Sequence, residues 1–228
     1  MKYRLLSFCM AVLLLISMIS VPRIEAANST ETFKDSADTK IVKLLEALGL
    51  MEIDSETGFF WDEMPVKRSE LAKIICKMFN ISETKDASPH FTDVSDYDRA
   101  YIETAIRNGY MSGYDNEKFG PDDYVTNIQL IKTFVTALGG DAAAQSQGGY
   151  PGGYITIGNM LGLLKGKAVA NENISRRIDV ANIIYTALHA DVLEIAGSVG
   201  NNINYKTVEG YTFLTEKRNI YRVKGIIS

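Results

Sequence analysis

Cysteine and tryptophan are scarce in this chain, which has two cysteines and one tryptophan among 228 residues. Cys9 lies inside an apolar run at the N-terminus, so Cys76 alone would remain if that run were removed. A single cysteine cannot form an intrachain disulfide, so packing must stabilise the fold. Cys76 lies among apolar residues at helical spacing, which favours a small core residue.

Sequence signatures of common enzymes are also missing: the chain has no G-x-S-x-G, no H-E-x-x-H and no P-loop. His90 and His189 are isolated in the sequence, which argues against a histidine metal site. The loop that begins at Asp115 has the acidic start of a calcium loop, but its twelfth position is Thr126 where a bidentate glutamate is needed. We therefore predict a protein that is not an enzyme and has no cofactor or metal.

An excess of basic residues is lacking as well, since the net charge is −4. Removing residues 1–26 would take away Lys2, Arg4, Arg23 and Glu25, and the net charge would fall to −6. An acidic chain is a poor partner for nucleic acid. An anionic ligand would have to be held by specific cationic side chains rather than by bulk charge.

Residues 1–27 predict a secretory signal peptide. A short basic region precedes an apolar run from Leu5 to Val21, and Ala26–Ala27 supply small residues for cleavage. The run is close to the length that spans a bilayer, so an uncleaved membrane anchor is the alternative. After cleavage we expect no membrane association. Residues 28–38 follow as a polar linker.

A helix–loop–helix pattern then occurs three times, over 39–84, 88–140 and 150–190. Its clearest helix has Ile41, Leu44, Leu45 and Leu48 at the spacing of one buried face. The other predicted helices span 68–79, 100–108, 127–138, 154–161 and 177–189. Gly109 is expected to end one of them in a left-handed cap, and residues 141–149 are expected to form a flexible spacer.

The first two copies align without gaps at a constant offset of 59 residues, as in Phe60 with Phe119 and Arg68 with Asn127. A fixed offset of this size indicates an internal repeat. Thr126 and Gln129 have the spacing of a capping box at a helix start. Because one helix pair cannot enclose its own apolar face, we predict that the three copies share one core.

The middle copy contains FTDV at 91–94, GYMSGY at 109–114, FGP at 119–121 and TNIQ at 126–129. At these residues the sequence resembles the S-layer homology family, and the resemblance extends over about residues 38 to 190. It implies a mainly α fold in which three helix–loop–helix repeats form a pseudo-threefold, three-pronged bundle. It also implies grooves between repeats that bind secondary cell wall polysaccharide, often bearing a pyruvate ketal.

The resemblance also implies which residues contact that ligand. The family's T-R-A-E helix start supplies an arginine for the negative group, helped by the aspartate of F-x-D-V. A guanidinium is a planar fork for a carboxylate, and a helix start adds positive potential. Carried over position by position, with the adjacent tryptophan added, the candidate ligand-binding residues are Trp61, Arg68, Glu70, Asp93, Arg177 and Asp179.

Several of these assignments have alternatives. Arg68 and Arg177 fit solvated first-turn residues as well, and Arg176 replaces Arg177 if the register slips by one. Asp93 could cap a turn. Trp61 could stack on a sugar or cover the edge of the core. The middle copy has Asn127 and Gln129 where the family has arginine and glutamate, so its groove should lack the carboxylate clamp. Phe60, Phe119, Tyr114 and Ile106 are expected in the core.

Residues 191–228 predict a short β-rich tail. Expected strands span 205–208, 211–214 and 220–227, with a turn at Glu209–Gly210. A tail this short cannot form its own core. It would dock on the repeats or begin a further module.

We therefore predict a non-catalytic module, secreted to the cell wall or S-layer of a Gram-positive-type bacterium. It would bind wall polysaccharide linked to peptidoglycan, with S-layer proteins as further partners. One alternative is the localising region of a wall-glycan hydrolase whose catalytic domain lies elsewhere. Another is a structural S-layer protein whose ligand sites have degenerated.

Overall fold

The computed structural model describes residues 38–81, 91–164, 171–199 and 202–218. The predicted signal peptide and the predicted strand 220–227 lie outside these residues. The described part is mainly helical, as predicted, and none of its helices has the length and apolar character needed to span a bilayer. In chain order the elements are α1 (Thr39–Ala47), α2 (Arg68–Met78), α3 (Asp96–Arg107), α4 (Asn127–Ala137), α5 (Asp141–Ser146), α6 (Gly152–Met160), α7 (Arg177–His189), β1 (Asp191–Val199), β2 (Asn202–Thr212) and α8 (Phe213–Arg218).

The starts of α3 and α4 follow from the capping residues that precede them. The predicted capping box is confirmed at α4, where the Thr126 hydroxyl accepts from the Gln129 amide and the Gln129 side chain accepts from the Thr126 amide. Helix α3 begins four residues before the predicted start because the Ser95 hydroxyl accepts a hydrogen bond from the Asp98 amide, 3.3 Å away. This bond satisfies an amide that has no partner within the helix.

The predicted flexible spacer at 141–149 is wrong, because α5 occupies its first six residues. Three alanines favour a helix, and two of them, Ala143 and Ala144, are fully buried. The Tyr154 hydroxyl of α6 also donates to the Asp141 carboxylate at the start of α5. Burial and this contact order a segment whose composition resembles a linker.

The first helix of each copy ends in the same way. Gly109 follows α3 with φ at +73°, which confirms the predicted left-handed cap. The Gly109 amide donates to the Ile106 carbonyl, and the Tyr110 amide reaches back to Ala105. Gly49 and Gly162 make the corresponding bonds after α1 and α6. This shared stop sets the direction of each following loop.

The main core is built by equivalent positions of α2, α4 and α7. Leu71, Leu130 and Val180 each lie in the fourth position of their helix and are at most 2% exposed. One turn further on, Ile75, Phe134 and Ile184 are fully buried in the same cluster. Each such side chain contributes about 1.5–3 kcal/mol by leaving water, so the three copies stabilise one another rather than folding separately.

A closed ring of backbone hydrogen bonds joins the three copies immediately before these helices. The Val66 amide donates to Ser175 (3.2 Å), Ser175 donates to Val125 (2.8 Å), and Val125 donates back to Val66 (3.0 Å). The next residues form a second set of bonds in the opposite order, since Arg68 donates to Asp123, Asn127 to Asn173 and Arg177 to Met64. Each helix start is thereby tied to the loop of another copy.

The tail packs on the repeats through Phe213. Its ring is 2% exposed and lies 4.6 Å, edge-on, from that of Phe79. Strands β1 and β2 pair antiparallel from Asp191 opposite Thr212 to Val199 opposite Asn202. The predicted turn at Glu209–Gly210 is wrong. Both residues lie within β2, where a break in register accommodates extra residues as a bulge. The predicted strand 211–214 is also wrong beyond Thr212, because α8 begins at Phe213.

Candidate ligand grooves

Two grooves open beside the ring that joins the copies, and each contains one arginine from a helix start. The Arg68 groove has a volume of about 250 Å³, and the Arg177 groove about 410 Å³. The Arg68 groove is lined by Arg68, Leu71, Tyr110, Met111, Ser112, Gly113, Tyr114, Val125, Gln129, Lys132, Thr133 and Tyr150. The Arg177 groove is lined by Leu50, Met51, Glu52, Ile53, Asp54, Trp61, Met64, Glu70, Lys73, Ile74, Lys77 and Arg177.

Arg68 is held by the loop of the second copy. Its Nε donates to the Phe119 carbonyl at 3.0 Å, and its Nη2 donates to the Ser112 carbonyl at 2.7 Å. The guanidinium lies 4.7 Å from the centre of the Tyr114 ring and 4.5 Å from that of Phe119. Arg68 is 6% exposed, and this burial lowers its pKa. Two carbonyls and two aromatic faces therefore fix the orientation of this cation.

Asp123 and Asp93 act on Arg68 from a distance and tend to raise its pKa, but neither forms a salt bridge with it. Among the described residues, no carboxylate lies within salt-bridge distance of it, and its Nη1 has no hydrogen-bond partner there. A second cation, Lys132, lines the groove and lies 5.9 Å from the ring centres of both Tyr150 and Tyr154. The lining contains no aspartate or glutamate. The groove is thus positive and favours an anion.

Arg177 is held in the same manner by the loop of the first copy. Its Nε donates to the Phe60 carbonyl and its Nη2 to the Glu52 carbonyl, both at 2.8 Å. Its guanidinium lies 4.7 Å from the centre of the Phe60 ring. Here, however, Nη1 donates to the Glu70 carboxylate at 2.7 Å. Glu70, a predicted ligand-binding residue, is therefore the ion-pair partner of Arg177.

The rest of the Arg177 groove is also balanced in charge. Lys73 and Lys77 stand against Glu52 and Asp54, and the Lys77 ammonium lies 3.6 Å from the Glu52 carboxylate. With the pair between Arg177 and Glu70, the lining contains three cations and three anions. The two grooves thus share a backbone design but differ in net charge.

The structure places Arg177, and not Arg176, at the groove. Arg176 donates to the Asp179 carboxylate at 2.8 Å and to Glu63 at 2.9 Å, and these hydrogen bonds raise its pKa. Asp179, which was predicted to contact the ligand, is occupied by Arg176 and lines neither groove. The register that pairs Arg177 with Arg68 and Asn127 is the one in which all three begin their helices.

Asn127 is the equivalent residue at the third junction. Its side-chain amide donates to the Asn171 side chain at 2.9 Å, and its oxygen accepts from the Ser175 hydroxyl at 2.8 Å. Both ends of this amide are therefore used within the protein. The position supplies no charge for an anionic ligand.

Asp93 supports a loop. Its two carboxylate oxygens accept from the amides of Phe119 (3.0 Å) and Gly120 (2.8 Å). Partial burial raises the pKa of Asp93, but these hydrogen bonds outweigh it, and the pKa lies below its ordinary value. Because the Phe119 carbonyl holds Arg68, Asp93 positions a residue of the Arg68 groove without lining it.

Trp61 lines the Arg177 groove with 42% of its surface exposed. Its ring centre lies 5.0 Å from that of Phe59. Phe60 and Phe119 are fully buried, as expected. Tyr114 was expected in the core but is 57% exposed, because its ring covers the Arg68 guanidinium instead.

Lys132, Tyr150 and the place of Gln129 beside Arg68 were missed by sequence reasoning. The repeat offset contains the signal for two of them, since it aligns Lys73 with Lys132 and Glu70 with Gln129. Tyr150 carries no such signal, because it comes from the third copy, whose alignment is weaker. Within the described ranges, no group of three or more histidine, cysteine or acidic residues could hold a metal.

Residues 90–130 match the model of the S-layer homology domain, which confirms the predicted resemblance to that family. The "Middle cell wall protein" of Brevibacillus brevis is 26% identical over 175 residues, which cover 75% of this chain. The "Surface layer protein" of Brevibacillus choshinensis is 26% identical over 181 residues, or 76% of the chain. The matched region is 16% of the length of each relative.

Proposed function

We propose that this chain is a non-catalytic anchor that attaches to a bacterial cell wall by binding an acidic wall polysaccharide in the Arg68 groove. One observation carries the proposal. A buried guanidinium is fixed by protein carbonyls, forms no salt bridge among the described residues, and faces a groove lined by a second cation and by no acid. Such a site is prepared for a carboxylate, because burial of an unpaired charge is costly until a counter-ion arrives.

We further propose that the three copies form a pseudo-threefold bundle, with repeats at 39–84, 88–140 and 150–190. The ring of hydrogen bonds among Val66, Val125 and Ser175 supports this arrangement, as do the matched core positions of α2, α4 and α7. The grooves then lie between copies, and one copy supplies the arginine while the next supplies the loop that holds it.

The match to the S-layer homology domain and the relatives' names favour a wall location and secondary cell wall polysaccharide, with a carboxylate such as a pyruvate ketal, as the ligand. Secretion through the segment 1–27 and a Gram-positive-type host belong to the same proposal. The name of the second relative favours one alternative, a structural role within a surface layer. A structural role without ligand binding predicts no dependence on Arg68.

The test is sedimentation of the mature chain with Brevibacillus brevis sacculi, before and after acid removal of the secondary polymer. Binding should be lost after stripping. Arg68→Gln should weaken binding about tenfold or more, since a hydrogen-bonded charge contributes about 1.5–3 kcal/mol. Arg176→Gln is the matched control, because Arg176 directly precedes α7 but lies outside both grooves.

Equal binding by Arg68→Gln and the native chain would contradict the assignment of this groove. Binding that survives stripping would contradict the assignment of the ligand. Release of reducing sugar from the sacculi would instead favour a wall-glycan hydrolase.

A further inference from the structure

Trp61 has a backbone conformation that its side chain does not favour. Its φ is +62°, in the left-handed region that L-residues with a Cβ rarely adopt. The equivalent residue of the second copy, 59 positions later, is Gly120, with φ at +73°. The loop therefore requires a positive φ here, and the two copies satisfy that requirement with opposite residue types.

The second copy has no room for a side chain at this position. A Cβ at Gly120 would lie 2.5 Å from the Tyr114 ring and 2.6 Å from the Asp123 carboxylate. The first copy instead places an indole there, and that indole projects into the Arg177 groove. Folding alone is better served by glycine, so the strain indicates that the tryptophan has a further role.

The indole also contacts two neighbouring side chains. The Asp54 carboxylate accepts a hydrogen bond from the Trp61 side chain. This bond helps to lower the pKa of Asp54, after the larger effect of the Thr57 amide. Phe59 supports the ring from the side. A rigid, half-exposed aromatic surface beside polar groups is typical of a binding platform.

The charges of the Arg177 groove indicate which kind of ligand this aromatic surface would bind. Glu70 forms an ion pair with Arg177, and the two lysines of the lining are matched by two further acidic residues. The groove therefore has no net charge that would attract an anion. Its carboxylates can instead accept hydrogen bonds from the hydroxyl groups of a ligand, and its ammonium groups can donate to them. Its volume of about 410 Å³ suits a small ligand.

We propose that the Arg177 groove is a second carbohydrate site, which binds an uncharged pyranose ring by stacking on Trp61. This inference rests on the proposed function, which it extends by assigning a different part of the ligand to each groove. The Arg68 groove takes the acidic group of the wall polymer, and the Trp61 platform takes a neutral sugar of the same polymer. Two weak contacts on one chain then reinforce each other.

The test uses the fact that Trp61 is the single tryptophan of the chain, so its fluorescence reports on this site alone. The probe is polysaccharide released from Brevibacillus brevis sacculi, either native or with its carboxyl groups reduced to alcohols. Stacking should shift the emission and protect it from acrylamide with both forms. Arg68→Gln should lose affinity for the native polymer but keep its fluorescence response to the reduced one.

Substitutions at Trp61 give the second readout. Trp61→Gly copies the residue of the second copy, so it should melt at the same temperature or higher while losing retention on the reduced polymer. Trp61→Phe keeps an aromatic face and should keep retention. If Trp61→Gly fails to fold, Trp61→Asn tolerates the same φ and replaces it.

The outcomes separate the two proposals. No fluorescence response to either polymer, or a response that disappears on carboxyl reduction, would overturn the neutral-sugar site while leaving the Arg68 groove untouched. A response to both polymers, with Arg68→Gln binding the native polymer as tightly as the unmodified chain, would overturn the Arg68 groove and leave the Trp61 site standing.

Discussion

Arg68 and Arg177 have nearly the same hydrogen bonds to backbone carbonyls. The residue at the third position of a neighbouring helix decides which of the two arginines is available to an anionic ligand. At α2 this residue is Glu70, which pairs with Arg177 of another copy. At α4 it is Gln129, which lines the Arg68 groove and spends its side chain on the capping box. One carboxylate therefore distinguishes a neutral groove from a positive one.

Exchanging these two residues should exchange the properties of the grooves. We expect Gln129→Glu to pair with Arg68 and to weaken binding of the native wall polymer about tenfold, because the new carboxylate competes with the ligand. We expect Glu70→Gln to leave Arg177 without its counter-ion and to add affinity for the acidic polymer. Sedimentation with sacculi over a salt series measures both.

Thermal melting of the same variants is the control. Gln129→Glu retains a capping side chain, so its melting temperature should not fall. If Gln129→Glu bound the polymer as well as the native chain, Arg68 would not be the group that the polymer contacts.

The sequence could identify these residues and their places on the helices, but not the side chains that they contact. The repeat pattern, with the family resemblance for the third copy, located Arg68, Glu70 and Arg177 at helix starts, where the structure has them. It could not show that Arg177 contacts Glu70, because the two are 107 residues apart and meet through the hydrogen-bonded ring. It also could not show that Asp93 is occupied by two loop amides.

Helices with strong local signals were predicted well. α2, α4 and α7 combine an apolar face with clear start signals, so their starts match the prediction. α5 was not predicted, because tertiary contacts outweigh composition there, and the turn predicted at Glu209–Gly210 is wrong, because a bulge in β2 absorbs Gly210. Residues near a helix end determine where that helix begins, whereas tertiary packing determines the structure of segments with mixed composition.

The glycine stop after α3 can be tested in isolation. A Cβ at Gly109 would meet no atom within 4 Å, so Gly109→Ala changes only the conformational energy of a residue with φ at +73°. We expect a loss of about 1 kcal/mol in the free energy of unfolding. Urea denaturation followed by circular dichroism measures it.

Gly152 provides the matched control for this change. A Cβ added at Gly152 would also meet no atom within 4 Å, but Gly152 lies in α6 and has helical geometry. Gly152→Ala should stabilise the chain by about 0.5–1 kcal/mol, because alanine loses less entropy in a helix. Two alanine substitutions with the same sign of effect would contradict the conformational explanation.

At the scale of the whole molecule, the three copies depend on one another. Their helices share a core, and their loops share a ring in which each copy donates to one partner and accepts from another. A groove formed between two copies exists only while this ring is closed. Ligand binding and global stability should therefore be coupled, since a ligand that binds the folded state alone stabilises it.

The tail should contribute to this shared stability. Phe213 closes one side of the core, where it contacts Phe79, and its amide donates to the Ala190 carbonyl. Phe213→Ala would leave a cavity beside α2 and the end of α7. We expect a loss of about 3–5 kcal/mol in the free energy of unfolding, the usual cost of truncating a buried phenylalanine.

Chemical denaturation monitored by circular dichroism tests this, with Thr207→Ala as the control because Thr207 is an exposed residue of β2. If docking joins the tail to the repeats, Phe213→Ala should lower the midpoint of a single transition, and Thr207→Ala should leave it unchanged. A tail that folds apart from the repeats would instead give an unchanged main transition in both variants. In that case the core formed by α2, α4 and α7 would be sufficient without α8.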